Sequence, residues 1–261
     1  MEFAGFCHSM IPALSRINNR LRRDSCRWFG RRNVAIRCAE PVISFTFDDF
    51  PHSALTAGGK ALEQHGLAGT YYVSLGLMGK DTPTGRIFAE EDLADLVSRG
   101  HELGCHTYAH CDAWDTAPAD FERSIVENQQ AIAKLLPGLT LHSLSYPISC
   151  PRPQTKKLAA KHFACCRGGG QGPNAGTADL NFLNAFFLEQ SRNNFEAIKQ
   201  VINLNRSLSG WLIFATHDVA ENPTPFGCTP VFFEEVVRCA VESKTRILPV
   251  SQALAVATFA A

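Results

Sequence analysis

Two short stretches of the sequence combine side chains that can do chemistry together. Asp48 and Asp49 are adjacent and directly follow the apolar run 42–47. His106 and His110 are four residues apart, so a helical turn or a converging loop can bring both imidazoles to one side. Two neutral imidazoles and one carboxylate form a metal site with positions left open for water and substrate. A cation would also relieve the repulsion between the two carboxylates, and one aspartate would remain free as a base.

A third cluster has the same form. The apolar run 211–216 ends at His217 and Asp218. A histidine in such a place can be the general acid that protonates a leaving group. The alternative for each cluster is structural, since histidines often bond to a loop or satisfy a core. Three such clusters after three apolar runs favour chemistry over that alternative.

Apolar strand-like runs alternate with amphipathic helical patterns along most of the chain. The predicted strands are 42–47, 69–74, 101–105, 142–146, 162–166, 185–189, 211–216 and 246–250. The predicted helices are 53–65, 89–99, 118–136, 154–161, 194–209, 231–244 and 251–258. Strands that are apolar on both faces and separated by helices are parallel and covered by helices. About seven such units predict a closed or nearly closed β/α barrel, in which the ends of strands carry the active site.

Composition excludes some classes of protein. The chain has 261 residues, with 25 basic and 25 acidic side chains. That balance argues against a dedicated nucleic-acid binder, so no nucleic-acid partner is expected. Residues 1–15 lack the pattern of a secretory signal, and no stretch of 18 apolar residues predicts a transmembrane segment. The ten cysteines form no evident disulfide framework, so we expect a reduced, cytoplasmic protein.

The first 40 residues differ from the rest. We predict an arginine-rich arm over 1–40, followed by one barrel domain over 41–261. Eight arginines lie between residues 16 and 37, opposed only by Asp24. Two interpretations remain open: a surface for peripheral contact with an anionic membrane or polyanion, or a solvated arm or edge strand.

Three motifs, in this order, have a familiar form. They are TFDD (46–49), HTYAH (106–110) and FATHD (214–218). Together they resemble the NodB-homology polysaccharide deacetylases, carbohydrate esterase family 4, over about residues 42–255. The resemblance implies a distorted, partly open α/β barrel of seven or eight β/α units. It also implies a hydrolase that removes N-acetyl, or O-acetyl, groups from a saccharide.

The resemblance also implies a role for each motif residue. Asp48 matches the catalytic base, and Asp49, His106 and His110 match the metal ligands. His217 matches the general acid that protonates the departing sugar amine. The expected cofactor is a divalent metal ion, zinc before cobalt or another ion.

The third motif of the family departs from its pattern in this chain. At 145–149 the sequence reads SYPIS, and Ser145 stands where the family has an arginine that steadies the catalytic aspartate. Arg152 or Arg167 can replace that arginine from elsewhere. Ile148 can still offer its backbone N–H to the oxyanion, a role that needs no particular side chain.

Further alternatives remain open. No fourth motif that tunes the general acid is evident, and Asp179 and Asp218 are its candidates. Cys105 and Cys111 flank the histidines, so a closed structural zinc cluster is a second use of this segment. The glycine-rich stretch 165–176 predicts a rim loop that can shape a sugar cleft. The missing arginine also leaves room for a catalytically silent carbohydrate-binding or regulatory protein on the same barrel. A deformylase of a lipid-linked amino sugar is the remaining enzyme alternative.

Overall fold

The structure is a computed structural model, which describes residues 20–148 and 150–258. Its centre is a curled sheet of eight parallel strands. The strands are β1 Asn33–Ile36, β2 Val42–Phe47, β3 Thr70–Val73, β4 Asp81–Thr82, β5 Gly85–Arg86, β6 Glu102–Cys105, β7 Ser143–Ser145, β8 Cys165–Arg167, β9 Gly176–Asp179, β10 Phe186–Phe187, β11 Trp211–Thr216 and β12 Arg246–Ile247. The central sheet runs in the order β10-β11-β2-β3-β6-β7-β8, and β12 also pairs with β2.

Helices connect and cover the strands. They are α1 Lys60–Glu63, α2 Glu90–Ser98, α3 Pro118–Leu135, α4 Pro153–Ala159, α5 Phe195–Ser207, α6 Pro230–Glu242 and α7 Val250–Thr258. A π-helical turn, Ala54–Gly59, precedes α1, and 3-10 turns form at Leu75–Leu77 and Leu188–Ser191. Every residue of β2 and β11 is buried, as expected for central strands covered on both faces. None of the helices in the described ranges has both the length and the apolar character to cross a lipid bilayer.

The register of the two central strands decides where the site forms. β11 pairs with β2 so that Thr216 lies opposite Phe47. The next residues, His217 and Asp48, therefore leave the same edge of the sheet side by side, and the Asp48 N–H donates to the Thr216 carbonyl at 2.9 Å. Because all these strands are parallel, their C-terminal ends share one mouth.

The barrel is partly open, as the resemblance implies. The sheet has β8 at one edge and β10 at the other. The segment between β9 and β10 runs beside β8, where the Leu183 N–H donates to the Cys166 carbonyl at 2.8 Å and the Gly168 N–H donates to the Leu183 carbonyl at 2.9 Å. An irregular segment therefore covers the edge of β8 where a closed barrel would have a further full strand.

The predicted order of parallel strands and helices is confirmed. Some strand boundaries are wrong: the strand predicted over 185–189 is Phe186–Phe187, the one predicted over 246–250 is Arg246–Ile247, and a further one lies beside the site. The strand predicted over 162–166 is Cys165–Arg167, because His162 and Phe163 still belong to the turn that closes α4, where both N–H groups donate to Ala159. The hairpin β4–β5 and the antiparallel pair β1–β9 were not predicted.

The described part of the predicted arm packs against the barrel, and the first 19 residues of that arm lie outside the described residues. Residues 20–28 form a helix, and β1 pairs with β9. The ammonium group of Lys156, wholly buried, donates to the Cys26 carbonyl at 2.7 Å and the Phe29 carbonyl at 3.0 Å. It also pairs with Asp179 at 2.6 Å. A buried charge with three partners joins this segment to the domain.

Candidate active site

Three side chains with metal-binding atoms meet at the mouth of the barrel. Asp49 follows β2, and His106 and His110 follow β6. Their ligand atoms all lie within 4.8 Å of one another. The Asp49 Oδ1 atom is 3.4 Å from His106 Nε2 and 3.1 Å from His110 Nε2. The backbone of Asp49 and of His110 is left-handed, with φ of 60° and 52°, so both side chains leave sharp turns rather than a regular helix or strand.

A backbone carbonyl sets the orientation of His106. Its Nδ1 lies 2.8 Å from the Ser145 carbonyl, so Nδ1 carries the proton and Nε2 presents a lone pair towards Asp49. Burial lowers the pKa of His106 to about 4, which keeps the imidazole neutral. A neutral, fixed imidazole is the form in which histidine binds metal ions.

Asp49 completes the donor set. Thr84 donates to its Oδ2 at 2.9 Å, whereas the buried Oδ1 accepts no hydrogen bond of proper geometry although both imidazoles face it. Burial alone would raise the pKa of Asp49, but His110 and His106 hold it below its ordinary value. Burial alone would lower the pKa of His110, but Asp49 outweighs burial and raises it. An ionised oxygen without a hydrogen bond, faced by two imidazole nitrogens, fits a divalent cation.

The neighbouring carboxylate has a different partner. Asp48 is only 4% exposed. It accepts a hydrogen bond from Arg167, at the end of β8, and forms an ion pair with it. The guanidinium of Arg167 lies over the ring of Tyr72, with 4.7 Å between Cζ and the ring centroid. Burial alone would raise the pKa of Asp48, but the charge of Arg167, helped by His106 and His217, lowers it. Asp48 is therefore a buried carboxylate that stays ionised and does not belong to the three-residue cluster.

His217 lines the same cavity as Asp48 and the three-residue cluster. Its Nδ1 lies 3.2 Å from the Phe226 carbonyl, and the two rings are 5.6 Å apart at their centroids. A proton on Nδ1 bonded to that carbonyl leaves Nε2 as the atom that exchanges protons with a ligand. His217 is partly exposed, so its ring can reach a bound molecule.

One cavity of about 590 Å³ collects these groups. It is lined by Asp48, Asp49, His106, His110, His217 and Ile148, together with apolar residues such as Leu77 and Phe226. Ile148 is 70% exposed and has a left-handed backbone, with φ of 63°. The six residues to which the resemblance gave a catalytic, metal-binding or oxyanion-binding role thus lie around one space. Ser149, at the end of the third motif, lies outside the described residues.

Two residues of the site were missed by sequence reasoning. Thr84 lies on the β4–β5 hairpin, which carried no recognisable pattern, and holds the second oxygen of Asp49. Glu189 lines the cavity from the 3-10 turn after β10. Its Oε2 is buried without a hydrogen bond, and burial raises the pKa of Glu189 while the nearby His217 opposes that rise. The signal available for Glu189 was its position at the end of the strand predicted over 185–189.

Other candidates have other partners. Of the two arginines considered for Asp48, Arg152 instead donates to the Trp114 carbonyl. Asp218 accepts hydrogen bonds from Thr224, and Asp179 pairs with Lys156. These two aspartates therefore serve a loop and the N-terminal segment. The thiol of Cys105 accepts hydrogen bonds from Asn128 and the Thr107 N–H, as a buried packing residue would.

The comparisons agree with this geometry. The family model described as polysaccharide deacetylase matches residues 36–163. A chitooligosaccharide deacetylase from Sinorhizobium fredii is 29% identical over 108 residues, which cover 41% of this chain and 46% of that protein. The chain spans less than half the length of the curated relatives that it matches.

Solved structures show the same fold. A family 4 acetyl xylan esterase from Clostridium thermocellum, in complex with a cobalt ion, has a TM-score of 0.57 and 20% identity over 82% of this chain and 90% of that chain. A family 4 pseudoenzyme from Bacillus anthracis has a TM-score of 0.58 and 11% identity over 84% of this chain and 66% of that chain. With its three motifs gathered at the mouth of this barrel, the chain belongs to the polysaccharide deacetylases, the NodB-homology family known as carbohydrate esterase family 4.

Proposed function

We propose that this protein is a metal-dependent hydrolase that removes the N-acetyl group from an acetylated saccharide. The observation that carries the proposal is the convergence of the Asp49–His106–His110 cluster, the buried Asp48 carboxylate and His217 on one cavity. Together these groups supply a cation site, a base and an acid within reach of one substrate, as amide hydrolysis needs.

The metal site would be formed by Asp49, His106 and His110. A divalent ion bound there supplies Lewis acidity, which polarises the acetyl carbonyl and lowers the pKa of water. Zinc is the proposed ion, because a carboxylate and two imidazoles with an open position are typical of catalytic zinc. Cobalt is the second candidate, since the acetyl xylan esterase of the same fold holds a cobalt ion.

Two groups would move protons. Asp48 is kept ionised by Arg167 and would accept a proton from the attacking water. His217 is held through Nδ1 by the Phe226 carbonyl and would give a proton to the departing amine. The backbone N–H of Ile148, which lines the cavity, would donate to the oxyanion of the tetrahedral intermediate.

The position of Arg167 also bears on the alternative of a non-catalytic protein. That alternative was motivated by the serine at position 145, where the family has an arginine. Because Arg167 meets Asp48 instead, the carboxylate has its charge partner. Nothing else in the described site argues for a carbohydrate-binding protein without activity.

The test is acetate release from N-acetylglucosamine oligomers by the zinc-loaded protein. We expect release to stop after treatment with a chelator and to return with zinc. We expect Asp48→Asn and His217→Gln each to lower kcat by roughly 10²–10⁴-fold, the usual contribution of a general base or acid. The matched controls are Asp120→Asn and His65→Gln, which change exposed residues of the same types and should leave kcat unchanged.

Further substrates separate the enzyme alternatives. Acetylxylan tests O-acetyl hydrolysis, and an N-formylated amino sugar linked to a lipid phosphate tests deformylation. If the protein hydrolyses either of these substrates faster than the N-acetylglucosamine oligomers, that substrate class would replace the N-acetyl saccharide in the proposal. Acetate release that persists without metal and in Asp48→Asn would refute the mechanism.

A further inference from the structure

A second cavity adjoins the catalytic cavity. Its volume is about 970 Å³. Four residues line both spaces: Tyr146, Ile148, Phe187 and Gln190. Arg167, which holds Asp48, lines the second cavity as well. A saccharide chain bound at the catalytic groups can therefore extend directly into this space.

Three arginines of the N-terminal helix line the second cavity, which we call the arginine groove. They are Arg20, Arg23 and Arg27, and all three are exposed. Their spacing of three and four residues places them in one row along the helix. The groove therefore presents a row of guanidinium groups to whatever occupies it.

The charge of this row is largely uncompensated. Asp24 is the only carboxylate among the described residues that line the groove, and it lies 3.8 Å from Arg20. Within the described ranges, no carboxylate lies at ion-pair distance from the guanidinium of Arg23 or Arg27. Like charges this close on one helix repel each other, so an anion in the groove would relieve that repulsion.

The helix that carries the row is held in place from its other side. Arg22 forms an ion pair with Asp115 at 3.0 Å and lies over the ring of Trp114, with 5.2 Å between its Cζ and the ring centroid. Cys26 is buried, and its carbonyl accepts from Lys156. A row of arginines on a docked helix loses less conformational freedom on binding than arginines on a free arm.

Part of the groove is lined by backbone without side chains. It is formed by the glycines that follow β8, residues 168–170. A Cβ atom on Gly168 would lie 2.1 Å from the ring of Phe182, and one on Gly170 would lie 2.2 Å from Asn184 Oδ1. A side chain at Gly168 or Gly170 would therefore displace a packed neighbour, so both positions favour glycine.

We propose that the arginine groove is a subsite for an anionic group, a carboxylate or a phosphate, carried by the saccharide whose acetyl group is removed in the adjoining cavity. This proposal rests on the proposed function and narrows its substrate class to anionic acetylated saccharides. The planar fork of N–H donors on arginine matches both carboxylate and phosphate oxygens, so the two anions are alternatives of one chemistry.

An anionic lipid surface is the other partner that arginines suggest. The exposed apolar residues of the same segment are Leu21, Trp28 and Phe29. None of them lines the arginine groove, so the apolar face with which an interfacial helix enters a membrane would lie outside this concave site. The concave site beside the catalytic cavity therefore favours a saccharide.

The experiment compares disaccharide probes with and without an anionic substituent. Diacetylchitobiose is the neutral probe. The β-1,4-linked disaccharide of N-acetylglucosamine and N-acetylmuramate adds a carboxylate, and diacetylchitobiose 1-phosphate adds a phosphate. Affinity is measured by calorimetry on the full-length, zinc-loaded protein, and acetate release gives KM and kcat. We expect at least one anionic probe to bind about tenfold more tightly than the neutral one, and the anion that does so identifies the source.

The variant Arg23→Gln/Arg27→Gln should remove this preference by raising KM for the anionic probe about tenfold. Its kcat, and its KM for the neutral probe, should stay within about twofold, since both residues lie outside the proposed catalytic groups. Arg206→Gln/Arg238→Gln is the matched control, because it removes two exposed helical arginines elsewhere. That control should keep the preference.

Several results would overturn the subsite. They are equal affinity of all probes for the unmodified protein, an unchanged preference in the Arg23/Arg27 variant, and an equal loss for neutral and anionic probes. A variant that loses binding to vesicles containing phosphatidylglycerol, but keeps its preference for the anionic sugar, would assign the arginines to a membrane instead. If no probe releases acetate, the proposed function fails, while the calorimetric ratio still decides whether the groove binds anions.

Discussion

Ser145 and Arg167 are register partners on the neighbouring parallel strands β7 and β8, and Arg167 reaches Asp48 across 119 positions of sequence. In the family that the chain resembles, the arginine next to the catalytic aspartate stands at the position of Ser145. Here the guanidinium comes from the strand beside it. Ser145 is wholly buried, and its hydroxyl finds no hydrogen-bond partner.

Arg167 should therefore be essential for Asp48 to act as the proposed general base. Because Arg167 lowers the pKa of Asp48, Arg167→Gln should raise that pKa and shift the acid limb of the kcat/KM profile to higher pH. We expect kcat to fall by roughly 10²-fold or more, as when a general base loses its function. The pH profile of acetate release measures both effects.

Two further variants make this result specific. Arg152→Gln removes the other candidate arginine, which bonds to Trp114 instead, and should not move the acid limb. The exchange Ser145→Arg/Arg167→Ser restores a guanidinium at the family position and should recover part of the activity lost in Arg167→Ser. An Arg167→Gln protein with an unchanged acid limb would show that Asp48 does not depend on this arginine.

Metal binding should stabilise the folded protein through the three-residue cluster. At a free zinc concentration 100 times the Kd, linkage predicts about 2.7 kcal/mol of added stability and a higher Tm. Asp49→Ala or His106→Ala should abolish the rise in Tm on adding zinc. His217→Gln should retain it, because His217 is not among the clustered residues. The same rise in all these variants would place the ion elsewhere.

Lys156 should hold the N-terminal segment on the barrel. Its buried ammonium has partners in the N-terminal helix and at Asp179. Lys156→Met should destabilise the fold by about 3–5 kcal/mol, because it leaves a buried carboxylate without its partner. Denaturant unfolding measures the loss, and hydrogen exchange should rise first in residues 20–38. The neighbouring, exposed Lys157 is the control, and Lys157→Met should change neither.

Acid should destabilise the fold partly through His101. This buried ring accepts from the Gly69 N–H through Nδ1 at 2.9 Å and donates from Nε2 to Glu63 at 2.8 Å. Protonation would put two N–H groups face to face at Nδ1. Burial lowers the pKa of His101, although Glu63 opposes the change.

The direction of the pH effect follows from that lowered pKa. Between the unfolded pKa of about 6.5 and the lower folded pKa, the unfolded chain binds up to one more proton than the folded chain, so stability falls as pH drops through this window, by at most about 1.4 kcal/mol per pH unit. His101→Gln should lessen this slope in unfolding experiments on metal-free protein, whereas His65→Gln, at an exposed position, should not. Equal slopes in all three proteins would exclude His101 as a cause.

The sequence by itself determined the elements and the strand ends that bear the candidate groups. Runs such as 42–47 and 211–216 are apolar because both faces of a central parallel strand are buried. That pattern is local, so it can be recognised without knowing which strands are neighbours. The polar residues that interrupt it at Asp48, His106 and His217 were found for the same reason.

Only the tertiary structure decided which distant side chains meet. The choice of Arg167 over Arg152, the bond from Thr84 to Asp49 and the position of the three groove arginines depend on strand order, register and docking. Arg167 directly follows the strand predicted over 162–166 and was a candidate, but its contact with Asp48 depends on where β8 lies in the sheet, which the sequence does not show. Hydrophobic periodicity reports which face of one segment is buried, but it does not report which distant segment packs against that face. A contact between residues far apart in sequence therefore cannot be recognised in either segment alone.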